Sequence, residues 1–273
     1  GSTGSVGKSL INIIKKDKNN FEIILLTAEK NDKELIKQAN LLKVKNLIIT
    51  NKKSFDDLTN NKLAKKFKIY NNYKDLNKIF TQKVDYVMNS ISGLEGLSPT
   101  LEIIKHTKKI AIANKESIIC GWNLINKKLK FYNTEFIPID SEHFSINELI
   151  KGTEKENIEK IYITASGGPF LVKKISSFKN IKVKNAIKHP TWQMGKKISI
   201  DSATMVNKVY ELIEAKKIFN IDYSKIDILV QPSSYVHSII KFYGGIVKIL
   251  IHDTSMIIPI FNSLYENKKS RIK

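Results

Sequence analysis

Arginine is nearly absent from this chain, Cys120 is its one cysteine, and acidic residues are outnumbered by basic ones, 26 to 46. Each shortage excludes something. A lone cysteine forms no internal disulfide, so the fold is held by its core and the chain suits a reducing compartment. No apolar run approaches the length of a bilayer span, so no transmembrane segment is expected. The basic residues are almost all lysine, and the guanidinium forks that read guanine and grip phosphate are missing. The lysines are also scattered through every segment. A formal net charge of +20 therefore does not read as a nucleic-acid footprint. It would still draw in an anionic, phosphorylated small molecule. Internal repeats and long disordered tracts are missing too.

What is present is enough chain for two domains with real cores: 273 residues, 42% of them hydrophobic. The first residues, Gly1-Ser2-Thr3-Gly4-Ser5-Val6-Gly7, form a glycine loop that opens an amphipathic helix. Such a loop brings backbone N–H groups and a helix start against a pyrophosphate. Apolar strands are expected at Phe21–Thr27, Val44–Thr50, Val84–Met88 and Ile110–Ala113. Helices are expected between them at Asn31–Leu42, Ser54–Phe67 and Leu97–His106. Strand and helix in alternation mean a parallel, doubly wound sheet. The acidic residue expected on a ribose 2′-hydroxyl could be Glu29, which favours NAD; its neighbour Lys30 favours the 2′-phosphate of NADP. Spacing alone leaves that choice open.

Further along, Ala113-Asn114-Lys115-Glu116 leaves a strand and starts a helix, where ligands bind in such sheets. A capping Asn explains the same residues equally well. Phe136-Ile137-Pro138-Ile139 then ends in Asp140-Ser141-Glu142-His143. In extended backbone Asp140 and Glu142 point the same way, and two carboxylates side by side call for a cation with oxygen ligands, Mg²⁺ or Mn²⁺. An N-cap role for Asp140 or Ser141 is compatible with this. Ala165-Ser166-Gly167-Gly168-Pro169 offers amides and a hydroxyl to an anion, or is a plain turn. Trp192, between Pro190 and Gly195, is either a core plug or a lid. A helix capped by Asp201 or Ser202 should then carry Asn207, Lys208 and Glu211 on one patch, with Glu211 the candidate third metal ligand. Asp227–Val230, Tyr235–Phe242 and Ile246–Ile251 read as strands, the last two joined by a Gly244-Gly245 hairpin. The expected architecture is α/β: a Rossmann-like parallel sheet domain over 1–137, then an α+β catalytic domain over 138–273.

The glycine loop, Ala-Asn-Lys-Glu-Ser (113–117), Pro-Ile-Asp-Ser-Glu-His (138–143), Ser-Gly-Gly-Pro-Phe (166–170), His-Pro-Thr-Trp-Gln-Met-Gly (189–195) and Asp-Ser-Ala-Thr-Met-Val-Asn-Lys (201–208) occur in this order. Together they resemble the 1-deoxy-D-xylulose 5-phosphate reductoisomerase family along the whole chain. The resemblance implies an oxidoreductase of the non-mevalonate route to isoprenoids. It would use NADPH and Mg²⁺ or Mn²⁺, and work as a homodimer in the cytoplasm, or in a plastid-type organelle of a eukaryote. It would rearrange the substrate's carbon skeleton and reduce the resulting aldehyde to 2-C-methyl-D-erythritol 4-phosphate. Carried over residue by residue, it gives Thr3, Gly4, Ser5 and Val6 to the cofactor pyrophosphate and Lys30 and Asn31 to the adenosine end. Asn114, Glu116 and Gly195 would touch the cofactor elsewhere. Asp140, Glu142 and Glu211 would hold the metal. Lys115, Ser141, Glu142, Ser166, His189, Ser202, Asn207, Lys208 and Glu211 would bind substrate, with Lys115, Glu142, His189, Glu211 and the covering Trp192 taking part in the chemistry.

The chain departs from the family pattern at Glu29, Val209, Gln231 and Thr254-Ser255-Met256-Ile257. The strand before the glycine loop and the family's C-terminal helical domain are expected to be absent. Two alternatives follow. A truncated or divergent member would show little turnover, and another NAD(P)-dependent dehydrogenase would turn over without metal.

Overall fold

The computed structural model describes residues 1–192 and 195–265. Two compact units divide the chain: Gly1–Ile137 together with the described residues from Ile260 onward, and Pro138–Pro259.

The first unit carries two three-stranded sheets, the first of them parallel. One has the order β1 (Leu25–Ala28), β2 (Asn46–Ile49), β3 (Lys68–Tyr70). The other runs β4 (Val84–Asn89), β5 (Thr107–Ile112), β6 (Glu135–Pro138), with β4 and β5 parallel. Crossover helices join the strands, and asparagines start them. Asn31, Asn51 and Asn114 each accept a backbone N–H three residues on, from Glu34, Ser54 and Ser117, which satisfies a donor that the helix leaves orphaned. Leu35, Ala39, Leu47, Ile49 and Leu58 build the core of the first sheet. Burial of such side chains supplies roughly 1.5–3 kcal/mol each, the main term holding a disulfide-free unit together.

The second unit is built on a mixed sheet of order β10 (Val247–Ile251), β9 (Val236–Phe242), β7 (Ile158–Ala165), β8 (Ile226–Val230). β7 pairs with β8 in parallel and with β9 antiparallel. β9 turns into β10 through Gly244-Gly245, and Gly245 adopts φ 81°, the left-handed region that a tight hairpin needs. The helices Ser141–Ile150 and Val206–Phe219 lie with this sheet, where Ile146, Ala215 and Phe219 pack with Ile158, Ile161, Ile163 and Ile240.

Several expectations shift. The first strand is shorter and starts at Leu25, after a single helical turn at Lys18–Asn20. The helix expected to reach Phe67 stops at Thr59, and the short strand β3 was not legible because it offers only three residues. The helix thought to be capped by Asp201 or Ser202 starts instead at Val206. A separate helix, Lys196–Ala203, precedes it, and Met205 turns the chain between them with φ 61°. Asp201 serves inside that earlier helix, paired with Lys197 at 2.7 Å, one turn away. The described residues from Ile260 onward were expected in the second domain but pack in the first unit. Tyr265 donates to Asp17 at 2.6 Å and meets Phe21 edge-on, and Ser263 pairs with the Tyr86 hydroxyl at 2.8 Å. An apolar helix end with an aromatic beside it is drawn to whichever core can cover it.

Candidate active site

β6 delivers the chain to Asp140, which stands at the N-cap position of the helix Ser141–Ile150. Its backbone carbonyl accepts from Phe144, but its side chain makes no cap bond. The carboxylate is turned instead toward His143 Nδ1, 3.1 Å away. Glu142 follows in the first turn, and Glu211 arrives from the helix Val206–Phe219. One oxygen from each of Asp140, Glu142 and Glu211 lies within 4.8 Å of the others. Like charges so close need a cation. Lys208 is one: its Nζ sits 2.7 Å from Glu142 Oε1, 2.5 Å from Glu211 Oε2 and 2.6 Å from the Thr164 carbonyl. Burial alone would lower the Lys208 pKa, but the two carboxylates outweigh it and raise the pKa. Asn207 donates to Glu211 Oε1 at 2.5 Å, so the Asn207, Lys208 and Glu211 patch of the sequence is one hydrogen-bonded group. Ser141 donates to Glu142 Oε2 at 2.6 Å.

A second group of the same unit centres on His189. Its Nδ1 accepts the backbone N–H groups of Thr191 (3.2 Å) and Trp192 (3.0 Å). The hydrogen of the neutral ring therefore lies on Nε2, which donates to Ser166 Oγ at 2.9 Å. Ser166 Oγ also accepts from Gly168 N, at 3.1 Å, so the hydroxyl hydrogen is left to point at a ligand. Burial, with the Lys208 charge adding to it, pushes the His189 pKa below its ordinary value and keeps this neutral tautomer. Gly168 has φ 68°, and a Cβ there would stand 2.8 Å from the Ser202 carbonyl. The glycines thus let the Ser166 turn approach Ser202. Trp192 lies edge-on to His237, 6.0 Å between ring centres. Gly195 stands exposed at the N-cap of Lys196–Ala203; its neighbours Gln193 and Met194 lie outside the described residues.

In the first unit the glycine turn is stitched to the carboxyl end of β1 and to the residue after β4. Ser2 N donates to Thr27 O at 2.8 Å, and Ser90 Oγ donates to Gly1 O at 3.0 Å. Gly4 is the N-cap of the helix Ser5–Lys16 and offers no side chain, so the amides of Ser5 and Val6, with Thr3 before them, form a bare helix start. A Cβ on Gly7 would lie 2.4 Å from Gly1 O and 2.6 Å from Ser2 Cα. Lys30 pairs with Glu29 at 3.0 Å, both about two-thirds exposed, and Asn31 caps the next helix. Asn114 caps its helix and also donates to the carbonyls of Ile91 and Gly93 at 2.5 Å each. Lys115, in the first turn, is buried, while Glu116 is partly exposed.

Sequence reasoning passed over His143 and Glu214, which with Asp140 form a second cluster of close ligand-type atoms, and the Thr164 carbonyl. A signal existed for the first two. His143 stands three residues after Asp140, and Glu214 three after Glu211, so each shares a helix face with an expected ligand.

Comparison with known proteins agrees along the whole length. Residues 1–121 match the family 1-deoxy-D-xylulose 5-phosphate reductoisomerase, and residues 136–219 match the C-terminal domain of 1-deoxy-D-xylulose 5-phosphate reductoisomerase. The chain is 60% identical to the 1-deoxy-D-xylulose 5-phosphate reductoisomerase of Pelagibacter ubique, with all of the chain and 71% of the relative covered. It is 42% identical to the Wolbachia pipientis wMel enzyme of that name, covering all of the chain and 70% of the relative. Among solved structures it is similar to the Zymomonas mobilis reductoisomerase in complex with NADPH, at 32% identity and TM-score 0.88, covering 100% of this chain and 70% of that one. It is also similar to a DOX-P reductoisomerase in complex with NADPH, fosmidomycin and magnesium, at 34% identity and TM-score 0.89, covering 100% and 69%.

Proposed function

The chain belongs to the 1-deoxy-D-xylulose 5-phosphate reductoisomerase family, and from that premise we propose how its residues share the work. The enzyme converts 1-deoxy-D-xylulose 5-phosphate to 2-C-methyl-D-erythritol 4-phosphate, with NADPH as hydride donor and a divalent metal as cofactor. The observation that carries the reading is the convergence of Asp140, Glu142 and Glu211 oxygens within 4.8 Å. Hard carboxylate oxygens at that spacing fit Mg²⁺ or Mn²⁺. When bound, the ion supplies Lewis acidity and orients the oxygens of the sugar.

The protein's own groups do the rest. Ser166, Ser202, Asn207 and Lys208 grip the phosphate and hydroxyls, and Ser141 and Lys115 also contact the substrate. His189 donates to Ser166 Oγ and so aims the serine hydroxyl outward at an acceptor. Trp192 covers the substrate and excludes water. The bare helix start at Thr3–Val6 receives the cofactor pyrophosphate, since amides without side chains suit a close-approaching anion. Lys30 and Asn31 take the adenosine end, and Asn114, Glu116 and Gly195 complete the cofactor contacts.

Exposed Val247, Ile249 and Ile251 on the edge strand β10 favour pairing of two copies through the second unit's sheet. A single exposed cysteine suits the reducing cytoplasm. No helix among the described residues is long and apolar enough to cross a membrane.

The deciding assay follows NADPH consumption with deoxyxylulose phosphate, with and without Mg²⁺. Turnover is expected only with the metal, and Glu211→Gln should abolish it while far-UV circular dichroism stays unchanged. Metal-free turnover, or an active Glu211→Gln enzyme, overturns the metal assignment.

A further inference from the structure

We propose that His143 is a positioning residue for the metal site: a strut that fixes the strand-exit ligand Asp140 to the backbone of the helix carrying Glu211. The proposal rests on reading Asp140, Glu142 and Glu211 as the metal set. His143 lies in the first turn of Ser141–Ile150 and is completely buried. Its Nε2 is 2.9 Å from the Glu211 carbonyl oxygen. A carbonyl only accepts, so Nε2 carries hydrogen. On the other side Nδ1 stands 3.1 Å from Asp140 Oδ2 and 3.8 Å from Glu214 Oε2; an ionised carboxylate also only accepts, so Nδ1 carries hydrogen as well and donates to Asp140. The ring stacks on Phe219, 6.3 Å between centres. Glu211, Glu214 and Phe219 all belong to one helix, so a single rigid imidazole reads that helix at three points and passes its position on to Asp140.

The consequence is geometric. The ligands come from two elements far apart in sequence, and the distance between them has to be set within tenths of an ångström for an ion that tolerates little deviation. The hydrogen bond to a fully packed ring sets the Asp140 carboxylate against the helix, and the opposite nitrogen references the ring to the main chain of the third ligand. Partners of this kind govern metal affinity without touching the metal.

The alternative, that Asp140, His143 and Glu214 hold an ion of their own, fits less well. Both ring nitrogens face acceptors, Nδ1 the Asp140 carboxylate and Nε2 the Glu211 carbonyl, so both carry hydrogen and neither offers a lone pair to an ion.

The test is Mn²⁺ binding to the full chain, read from the electron paramagnetic resonance signal of the free ion, alongside NADPH binding by fluorescence. His143→Asn keeps a donor near the Nδ1 position, and His143→Gln keeps one near Nε2. Each saves one end of the strut. Both should weaken Mn²⁺ binding about tenfold or more, broaden the spectrum of the bound ion, and leave NADPH affinity unchanged. Asp140→Asn is the reference. If it binds Mn²⁺ like the parent, the ligand set itself is wrong. If it loses Mn²⁺ while both His143 variants stay within twofold of the parent, the strut is wrong and the ligand set stands. Should neither His143 variant fold, Glu214→Gln decides, because it preserves shape while removing the carboxylate behind the ring. Severalfold weaker Mn²⁺ supports the strut, and unchanged affinity overturns it.

Discussion

On the proposed reading, the two units hold charged ligands by opposite means. The first works with backbone. Its glycine turn presents amides, and Asn31 and Asn114 serve as helix caps. The second works with buried side chains: three convergent carboxylates, a buried ammonium between two of them, and a ring that touches both ligand-bearing elements. A backbone site is sensitive to added volume and indifferent to charge. A side-chain site of this kind is sensitive to any change in charge balance. The contrast teaches where each unit is vulnerable, and separate readouts for cofactor and metal can test it.

Lys208→Met should produce the largest effect. It leaves Glu142 and Glu211 facing each other, and removing one partner of a buried ion pair costs about 3–5 kcal/mol. The expected result is a large drop in melting temperature without metal that Mg²⁺ partly restores, since a dication can replace the lost positive charge. NADPH affinity should not move. A variant that melts like the parent without Mg²⁺ would show that the carboxylates do not depend on the ammonium.

Added methyl groups come next. Gly7→Ala would push a Cβ against Gly1 O and Ser2 Cα, both backbone atoms that have nowhere to go. Overpacking of this kind costs about 1–3 kcal/mol. The loss should appear in NADPH binding while Mn²⁺ binding stays intact. Gly168→Ala is the mirror experiment: strained at φ 68° and 2.8 Å from the Ser202 carbonyl, it should raise KM for substrate and spare NADPH. If either substitution moved both readouts together, the independence of the two sites would fail.

The same contrast explains what could be read from the chain. The order of strands and helices was legible because apolar runs and capping asparagines are local signals. The convergence of Asp140, Glu142 and Glu211 was legible because acidic side chains at the end of an apolar strand and on a helix patch ask for a cation. The role of Lys208 against Glu142 was not, because the two are far apart in sequence and only the fold makes them partners. The break at Met205 was also hidden: nothing about methionine announces a left-handed residue, and the tertiary path imposes it. The packing of Tyr265 against Phe21 and Asp17 depends on which core lies nearest, which no local pattern encodes.

Acidification should separate the units more gently. His189, His237 and His252 all lie in the second unit, and burial is the leading cause that lowers each of their pKa values. A folded-state pKa below the unfolded value of 6.5 means that the unfolded chain binds the proton more readily. Stability from these groups is complete above about pH 6.5 and is lost as pH falls below it toward the lowered folded values. Between pH 7.5 and 5.5 the second unit should therefore lose stability. His237→Asn should flatten that slope, while fluorescence from bound NADPH should follow the pH more weakly. A slope unaltered by the substitution would remove His237 from the account.

The smallest effect belongs to Glu29, an exposed carboxylate in the backbone-built unit. It holds Lys30 in an ion pair at 3.0 Å with both side chains about two-thirds exposed. Such pairs contribute at most about 1 kcal/mol, so Lys30 is only lightly restrained. Glu29→Gly removes one negative charge beside the proposed site of the 2′-phosphate and releases the lysine. NADPH affinity should rise about threefold at low salt, with NADH affinity unchanged, and the gain should shrink as ionic strength rises and the Debye length shortens. Equal gains for both cofactors would place Glu29 near the part they share, and would show that this corner of the first unit does not read the phosphate through Lys30.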